Sequence, residues 1–299
     1  MNPAIRTVCV DLADWATTTK AVEDIGPVGL LVNNAGVSGG VSFLDTEEAD
    51  LDRVNMNIRF EGKRALVTGA GKGIGYGIAK ALAAGGAETT ALSRTQDDLD
   101  RLKAENPAIR TVCVDLADWA ATRKAVEDIG PVDLLVNNAG LSGGVSFLDT
   151  EEADLDRKFA VNVKAVVNVS QVVAKGMVAR GQGGAVVNIS STHARLGAKN
   201  RTAYCASKGA VDQVTRVMAL ELGPHQIRVN SVNPTLVKTR MGKAALSDPT
   251  LSGSLLSRIP QGKFAEVEDV VHAVLYVLSD KADMVNGITL FVDGGLTAV

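Results

Sequence analysis

Short apolar runs alternate with helix-like patterns along the chain from residue 64 onward. The runs are rich in Val, Leu, Ile and Ala, which is typical of buried strands. Strands are predicted near 64–68, 87–93, 110–114, 133–137, 185–190, 227–232 and 288–292. Helices are predicted near 73–85, 96–105, 118–128, 151–180 with a break near 155, 203–222 and 267–278. This alternation indicates an α/β fold with a single doubly wound parallel sheet of seven strands.

The chain begins with a partial duplicate of a later segment. Residues 2–53 repeat residues 106–157 at an offset of 104. The four differences are Thr17 for Ala121, Thr19 for Arg123, Gly29 for Asp133 and Val37 for Leu141. Such similarity is unlike a solenoid repeat, so we interpret it as a partial duplication or a mis-joined gene, with Met56 as the ordinary start.

Two interpretations of residues 1–55 stay open. The segment carries two predicted strands and the helix between them, which alone would leave sheet faces and edges uncovered. In the first interpretation, which we favour, the segment is a tethered, loosely folded appendage. In the second, it competes with residues 106–157 for their place in the sheet. Nine acidic and three basic residues give it a net charge of −6, so the remaining 244 residues carry +3.

Composition narrows the class of protein. The hydrophobic fraction of 46% and aromatic fraction of 4% suit an α/β core. No apolar run approaches the ~18 residues of a membrane span, and the mixed, acidic N-terminus predicts no signal peptide. The three cysteines lack metal-ligand spacing and predict a reducing, cytoplasmic location without a metal site. The net charge of −3 gives no footprint for nucleic acid.

A glycine-rich turn follows the strand predicted at 64–68. It reads Thr68-Gly69-Ala70-Gly71-Lys72-Gly73-Ile74-Gly75 and runs into a helical pattern. Glycines let the backbone approach a pyrophosphate at a helix N-terminus. The GxxxGxG spacing differs from the GxGxxG of most dinucleotide folds, and an ordinary tight turn is the alternative. The order of strand, turn and helix favours the phosphate site.

Tyr204 and Lys208 are separated by four residues in a predicted helix, which puts both on one face. We expect the ammonium to lower the pKa of the phenol, so that the pair can exchange a proton with an alcohol or carbonyl. Ser191 follows the strand predicted at 185–190, where its hydroxyl can donate to a substrate oxygen. Tyr-x-x-x-Lys alone is a weak signal, because it occurs by chance in many helices.

In this order, the glycine turn, Asn137-Asn138-Ala139-Gly140, Asn162, Ser191 and the Tyr-Lys pair resemble the short-chain dehydrogenase/reductase family. The resemblance covers residues 56–299 and implies a catalytic domain with a Rossmann-type sheet, preceded by a non-functional duplicate at 1–55. Segments such as Val112–Leu116 and Ala219–His225 are most similar to members that reduce L-xylulose to xylitol, and α-dicarbonyl compounds such as diacetyl.

The cofactor expected from these residues is NADPH. NAD enzymes usually place Asp or Glu after the second strand, whereas this chain has Ser93-Arg94-Thr95. Arg94 and Lys72 can bind a 2′-phosphate, although a solvated pair on a loop is the alternative. The expected cofactor-binding residues are Gly69, Gly71, Lys72, Gly73, Ile74, Gly75, Arg94, Thr95, Asp115, Leu116, Asn137, Ala139, Gly140, Tyr204, Lys208, Pro234, Val237 and Thr239. Asn137 and Asn138 can equally be structural.

The resemblance also implies the catalytic roles. Tyr204 donates the proton, Ser191 holds the substrate oxygen, and Lys208 binds the ribose hydroxyls. Asn162 positions a water near the lysine, or kinks its helix, or does both. The expected substrate residues are Ser191, His193, Arg201 and Tyr204, with the loop 193–201 and the segment 241–261 lining the pocket.

Several features leave the substrate open. Arg201 stands where the xylulose-reducing members have a histidine, so a general carbonyl reductase with another substrate range is an alternative. Tyr76 replaces the usual arginine after the glycine turn. A catalytically silent copy that binds NADPH is a further alternative. The resemblance implies a homotetramer.

Overall fold

The computed structural model describes residue 8 and residues 15–25, 58–239, 241–242, 247 and 249–298. The chain divides into two compact units, Met1–Asn57 and Ile58–Val299. In the first unit, helix α1 spans Trp15–Ile25. The two strands predicted for that unit, and its turn at 33–36, lie outside the described residues.

Helix α1 repeats the sequence of a helix in the second unit, and its surroundings differ. Val22 of α1 is 56% exposed, whereas Val126, its counterpart in the repeat, is 1% exposed. The repeated sequence therefore forms a helix in both units but buries this valine only in the second. The interpretation of residues 1–55 as an appendage stays a prediction.

Seven strands form one sheet in the second unit. They are β1 (Arg64–Thr68), β2 (Glu88–Ser93), β3 (Arg110–Cys113), β4 (Leu134–Asn137), β5 (Gly184–Ile189), β6 (Ile227–Pro234) and β7 (Thr289–Val292). Their order is β3-β2-β1-β4-β5-β6-β7, and every neighbouring pair is parallel. The order reverses between β1 and β4, so their carboxyl ends form the switch point at which such sheets bind ligands. The prediction of a single doubly wound sheet is confirmed.

The second unit also contains α-helices, and several of them pack on the two faces of this sheet. The helices are α2 (Gly73–Ala84), α3 (Gln96–Glu105), α4 (Trp119–Ile129), α5 (Glu152–Phe159), α6 (Ala165–Arg180), α7 (Thr202–Leu222), α8 (Pro249–Leu256) and α9 (Val267–Leu278). The predicted strand and helix ends lie within two residues of the observed ones. Helix α8 was not predicted, because a segment rich in Ser and Gly favours a loop.

The predicted break near residue 155 is wrong. The chain passes from α5 into α6 through a wider π turn at Ala160–Lys164. Asn162 lies in this turn, and its side chain exchanges two hydrogen bonds with the backbone of Leu141 outside the helix. A π turn of this kind displaces one residue from the regular helical ladder, often at a functional site.

The core has two layers, one on each face of the sheet. Successive residues of the central strands alternate between them: Val67 and Val136 belong to one layer, and Leu66 and Leu135 to the other. Helices α2 and α9 contribute to the first layer, and α4 and α6 to the second. Burial on both faces explains why the strands are continuously apolar. Among the described residues, no helix is both long enough and apolar enough to cross a membrane.

Candidate active site

The glycine turn after β1 contacts the loop after β4 at the switch point. Gly69 has φ +64°, and a Cβ there would lie 2.7 Å from the Cα of Ala139. A Cβ at Gly75 would lie 2.3 Å from Nδ2 of Asn138. That amide donates to the carbonyl oxygens of Thr68 (3.0 Å) and Gly69 (3.1 Å). Only glycine fits these two positions, and the bare backbone forms the type of cradle that admits a phosphate group.

Three cations and one carboxylate lie at the carboxyl end of β2. Nζ of Lys72 donates to Asp98 at 2.9 Å, and Nη2 of Arg101 lies 3.3 Å from the same carboxylate. Arg101 also donates to the Gly71 carbonyl oxygen at 3.1 Å. Arg94 is exposed beside them. Sequence reasoning found Lys72 and Arg94 but missed Asp98 and Arg101.

Ser191, His193 and Tyr204 are brought together by the end of β5 and the start of α7. Ser191 caps a short 3₁₀ turn: its Oγ accepts from the His193 backbone amide at 3.1 Å and lies 3.3 Å from Nδ1 of that imidazole. The His193 and Tyr204 rings meet edge to face with centroids 5.9 Å apart. The Ser191 hydroxyl also interacts with the Tyr204 phenol. Three predicted site residues therefore form one cluster.

Lys208 lies buried behind this cluster. Its Nζ donates to the Ile189 carbonyl oxygen at 2.8 Å and lies 5.9 Å from the centroid of the Tyr204 ring. A Cβ at Gly140 would lie 3.6 Å from this Nζ and 3.5 Å from Oδ1 of Asn162. The loop after β4, the π turn and α7 therefore meet at the lysine ammonium.

The expected lowering of the Tyr204 pKa by Lys208 is not what the structure shows. Burial raises the pKa of Tyr204, and the opposing influences are the hydrogen bond with Ser191 and the charge of Arg201. Burial also lowers the pKa of Lys208 to about 8, with the charge of Asp212 opposing it. Lys208 is not among the groups that shift the Tyr204 pKa, and burial raises that pKa, so the phenol is protonated at neutral pH.

Two arginines act on the protonation of His193. Burial lowers the pKa of His193, and the charges of Arg201 and Arg258 lower it further. His193 is therefore neutral near pH 7. Arg201 occupies the position just before α7, three residues from Tyr204. Part of the predicted pocket segment 241–261 lies outside the described residues.

Asn162 and Asn137 use their side chains for internal contacts. Asn162 accepts from the Leu141 backbone amide at 2.7 Å and donates to the Leu141 carbonyl oxygen and to Ser207. Asn137 donates to Ser170 at 2.9 Å and to Asn188 at 2.8 Å, and it is buried. These contacts favour the structural alternative for the Asn137 side chain.

The remaining predicted cofactor residues border the same edge of the sheet. Thr239 lies 3.4 Å from where a Cβ of Gly73 would be, which brings the loop after β6 to the glycine turn. Leu116 and Val237 are buried, whereas Asp115 is exposed and accepts from the Ala117 amide. Ile74 is the second residue of α2, Thr95 precedes α3, and Pro234 ends β6. In the part of the chain that the structure describes, no group of His, Cys, Asp and Glu could hold a metal ion.

Comparison with known proteins shows the family. A sequence profile described as Enoyl-(Acyl carrier protein) reductase, of the short-chain dehydrogenase/reductase type, matches residues 69–297. The chain belongs to the short-chain dehydrogenase/reductase family. As a member of that family, it is an oxidoreductase.

Several members of this family are similar over most of the chain. L-xylulose reductase of Bos taurus is 56% identical over 243 residues, which is 81% of this chain and all of the relative. Carbonyl reductase [NADPH] 2 of Sus scrofa is 51% identical with the same coverage. A crystal structure of a gluconate 5-dehydrogenase from Burkholderia cenocepacia J2315, in complex with NADP and tartrate, is 35% identical with a TM-score of 0.77. The match covers 81% of this chain and 98% of the gluconate 5-dehydrogenase chain.

Proposed function

We propose that the chain is an NADPH-dependent reductase that converts L-xylulose to xylitol and reduces α-dicarbonyl compounds such as diacetyl. The observation that carries this proposal is the cluster of Ser191, Tyr204 and Lys208 at the carboxyl end of β5. The similarity to an L-xylulose reductase across that enzyme's full length supports the substrate.

The proton for the reaction comes from Tyr204. Bound NADPH would supply the hydride to the carbonyl carbon. The pKa of Tyr204 is raised by burial, so the phenol holds its proton at neutral pH, as a general acid must. Ser191 donates to the substrate oxygen as negative charge develops there. The Lys208 ammonium stabilises the phenolate that proton donation leaves.

Preference for NADPH follows from the charges at the end of β2. Arg94 and Lys72 can neutralise a 2′-phosphate, and Arg101 adds a third cation. The Asp98 carboxylate is engaged by cations, so it is not a free acceptor for a ribose hydroxyl. This arrangement fits a phosphate ester better than two hydroxyls.

A general carbonyl reductase of other substrate range is the second candidate. The charges of Arg201 and Arg258 at His193 give the pocket a positive character that a neutral sugar does not require. The similarity to a carbonyl reductase supports this candidate too. The homotetramer and the cytoplasmic location stay predictions.

The test is NADPH oxidation by the full chain with L-xylulose and, separately, with diacetyl. Turnover of both supports the proposal, and turnover of diacetyl alone supports the second candidate. Tyr204→Phe is the control, because it removes the proton donor and should lower kcat about 1,000-fold. Binding of NADPH, followed by its fluorescence, without turnover of any carbonyl would indicate the silent copy and contradict the proposal.

A further inference from the structure

A buried carboxylate lies one helical turn beyond Lys208 on α7. Asp212 is 6% exposed and Lys208 is 4% exposed. Their spacing of four residues puts both side chains on one face of the helix. Burial of a carboxylate is costly unless a cation or hydrogen-bond donors compensate. The proton transfer proposed above does not use Asp212.

Asn233 of β6 connects Asp212 to the end of the strand that precedes Ser191. Its Nδ2 donates to Oδ2 of Asp212 at 2.9 Å and to the carbonyl oxygen of Ser191 at 3.0 Å. Oδ1 of Asp212 is buried and has no hydrogen-bond partner among the described residues. The hydrogen bond from the Asn233 amide therefore compensates only part of the cost of burying the Asp212 carboxylate. The Lys208 ammonium on the same helix face supplies the opposite charge.

We propose that Asp212 is a positioning residue that keeps the Lys208 ammonium charged in the site and, through Asn233, fixes Ser191 relative to α7. Its effect on turnover rests on the proposed reductase function. Burial lowers the pKa of Lys208 to about 8, and the charge of Asp212 is what opposes this lowering. Without Asp212, the ammonium would lose its proton closer to neutral pH. The cation that stabilises the Tyr204 phenolate would then be missing.

The other groups around Lys208 do not replace this charge. Burial raises the pKa of Tyr204, and burial lowers the pKa of His193, so both are neutral near pH 7. The π turn and β5 present the Asn162 amide and the Ile189 carbonyl oxygen, which carry no charge. On its own helix, Tyr204 and Asp212 act on Lys208, whereas Cys205 of that helix and His193 of the short 3₁₀ turn act on Tyr204.

The test is Asp212→Asn in the full chain, which removes the charge and leaves an acceptor for Asn233. The first measurement is kcat for diacetyl between pH 6 and 9.5. We expect the fall at alkaline pH to move down by about one pH unit, with kcat at pH 6 changed less than about threefold. The second measurement is the Kd of NADPH by fluorescence over the same pH range, because Lys208 is expected to be one of the residues that would hold the ribose. We expect the same shift.

Two further variants control for packing. Asp212→Glu keeps the charge and should return both curves toward those of the parent. Thr215→Val changes a residue of α7 that is 1% exposed, without removing a charge, and should leave the pH midpoints in place. If Asp212→Asn does not fold, Asp212→Ser removes the charge with a smaller hydrogen-bonding side chain and must give the shift.

Each outcome supports or overturns the proposal. A loss of kcat by one factor at every pH, with unchanged midpoints, would make Asp212 merely structural and overturn it. If the parent reduces no carbonyl, the proposed function fails, and the Kd of NADPH still decides. A shifted binding curve then supports the role of Asp212, and coincident curves overturn it.

Discussion

Lys72 of the glycine turn pairs with Asp98 of α3, with Nζ and Oδ2 2.9 Å apart. Asp98 is 8% exposed, and Arg101 lies 3.3 Å from its other oxygen. A cation proposed to bind the 2′-phosphate is therefore paired with a carboxylate. Binding of NADPH would compete with this ion pair, because Lys72 cannot neutralise both partners fully.

Asp98→Asn should tighten the binding of NADPH by about fivefold, because it frees Lys72 and removes a negative charge beside the phosphate. The Kd of NADH, which lacks that phosphate, should change little. Titration of both cofactors by fluorescence measures this. Asp97→Asn, an exposed neighbour on the same helix, is the matched control and should show a smaller effect. Equal changes for NADPH and NADH would contradict the role of Lys72.

Gly75→Ala should destabilise the second unit by about 3 kcal/mol and abolish binding of NADPH. The added Cβ would lie 2.3 Å from Nδ2 of Asn138 and 2.5 Å from the Gly69 carbonyl oxygen, so the two loops must separate. Gly176→Ala is the control, because the nearest atom is Nη1 of Arg180 at 3.3 Å, which is not the nitrogen that donates to Val132 and Asp133. In the middle of α6 it should stabilise by up to about 1 kcal/mol. Thermal unfolding compares the two, and a normal Kd in Gly75→Ala would refute the close approach.

Asp133→Gly should destabilise the second unit by about 3 kcal/mol. Asp133 accepts from Arg64 at 2.7 and 2.8 Å and from Arg180 at 3.1 Å. Burial raises the pKa of Asp133, but the hydrogen bonds and charges of the two arginines outweigh this effect, and the pKa is lowered overall. The contribution of Asp133 to the free energy of unfolding should therefore be fully present near neutral pH. It should be lost as the pH drops through that lowered pKa. Denaturant unfolding at pH 7 measures the loss.

Asp133→Gly also tests whether residues 2–53 can replace residues 106–157, because Gly29 is the counterpart of Asp133 in the repeat. The other three differences supply matched controls. Ala121→Thr, Arg123→Thr and Leu141→Val should each cost less than Asp133→Gly, since none removes a charge that two arginines share. We therefore expect that residues 2–53 do not replace 106–157 in the sheet. If Asp133→Gly is about as stable as the parent, replacement of residues 106–157 by residues 2–53 becomes possible again.

Lys208→Met should raise the free energy of unfolding at pH 7 by about 2 kcal/mol while it abolishes turnover. Burial lowers the pKa of Lys208 from 10.5 to about 8, and this net lowering already includes the opposing charge of Asp212. Between these values the unfolded chain binds a proton that the folded chain does not, so the stability of the parent rises with pH there. Below pH 8 the cost of the buried charge is fully present. The stability of Lys208→Met should not show this rise with pH.

Denaturant unfolding between pH 6 and 10 measures that difference. Lys158→Met is the control, because Lys158 is equally buried at 4% exposed but pairs with Asp154. Its replacement leaves Asp154 without that cation and should not stabilise. If Lys208→Met unfolds more easily than the parent at pH 7, the burial cost assigned to Lys208 is wrong.

The sheet could be predicted from the pattern of apolar residues, because each strand is a short apolar run buried on both faces and each helix has its own periodicity. The sequence also indicated which residues gather at the switch point. The glycine turn, Ser191 and the Tyr-Lys pair each follow a strand or begin a helix, and parallel topology brings such ends together. The break in the helix 151–180 was predicted near residue 155 and lies instead at the π turn Ala160–Lys164. There the Asn162 side chain bonds to the backbone of Leu141, which is 21 residues away in sequence.

The electrostatics of the site depend on how the chain packs. The local spacing of Tyr204 and Lys208 predicted a lowered phenol pKa, but burial, which depends on what packs around α7, raises it. The pairing of Lys72 with Asp98 and the link from Asp212 through Asn233 to Ser191 join groups 21 to 42 residues apart. Desolvation and long-range contacts are properties of the packed chain, so a linear pattern names the candidate groups and the fold determines their charge.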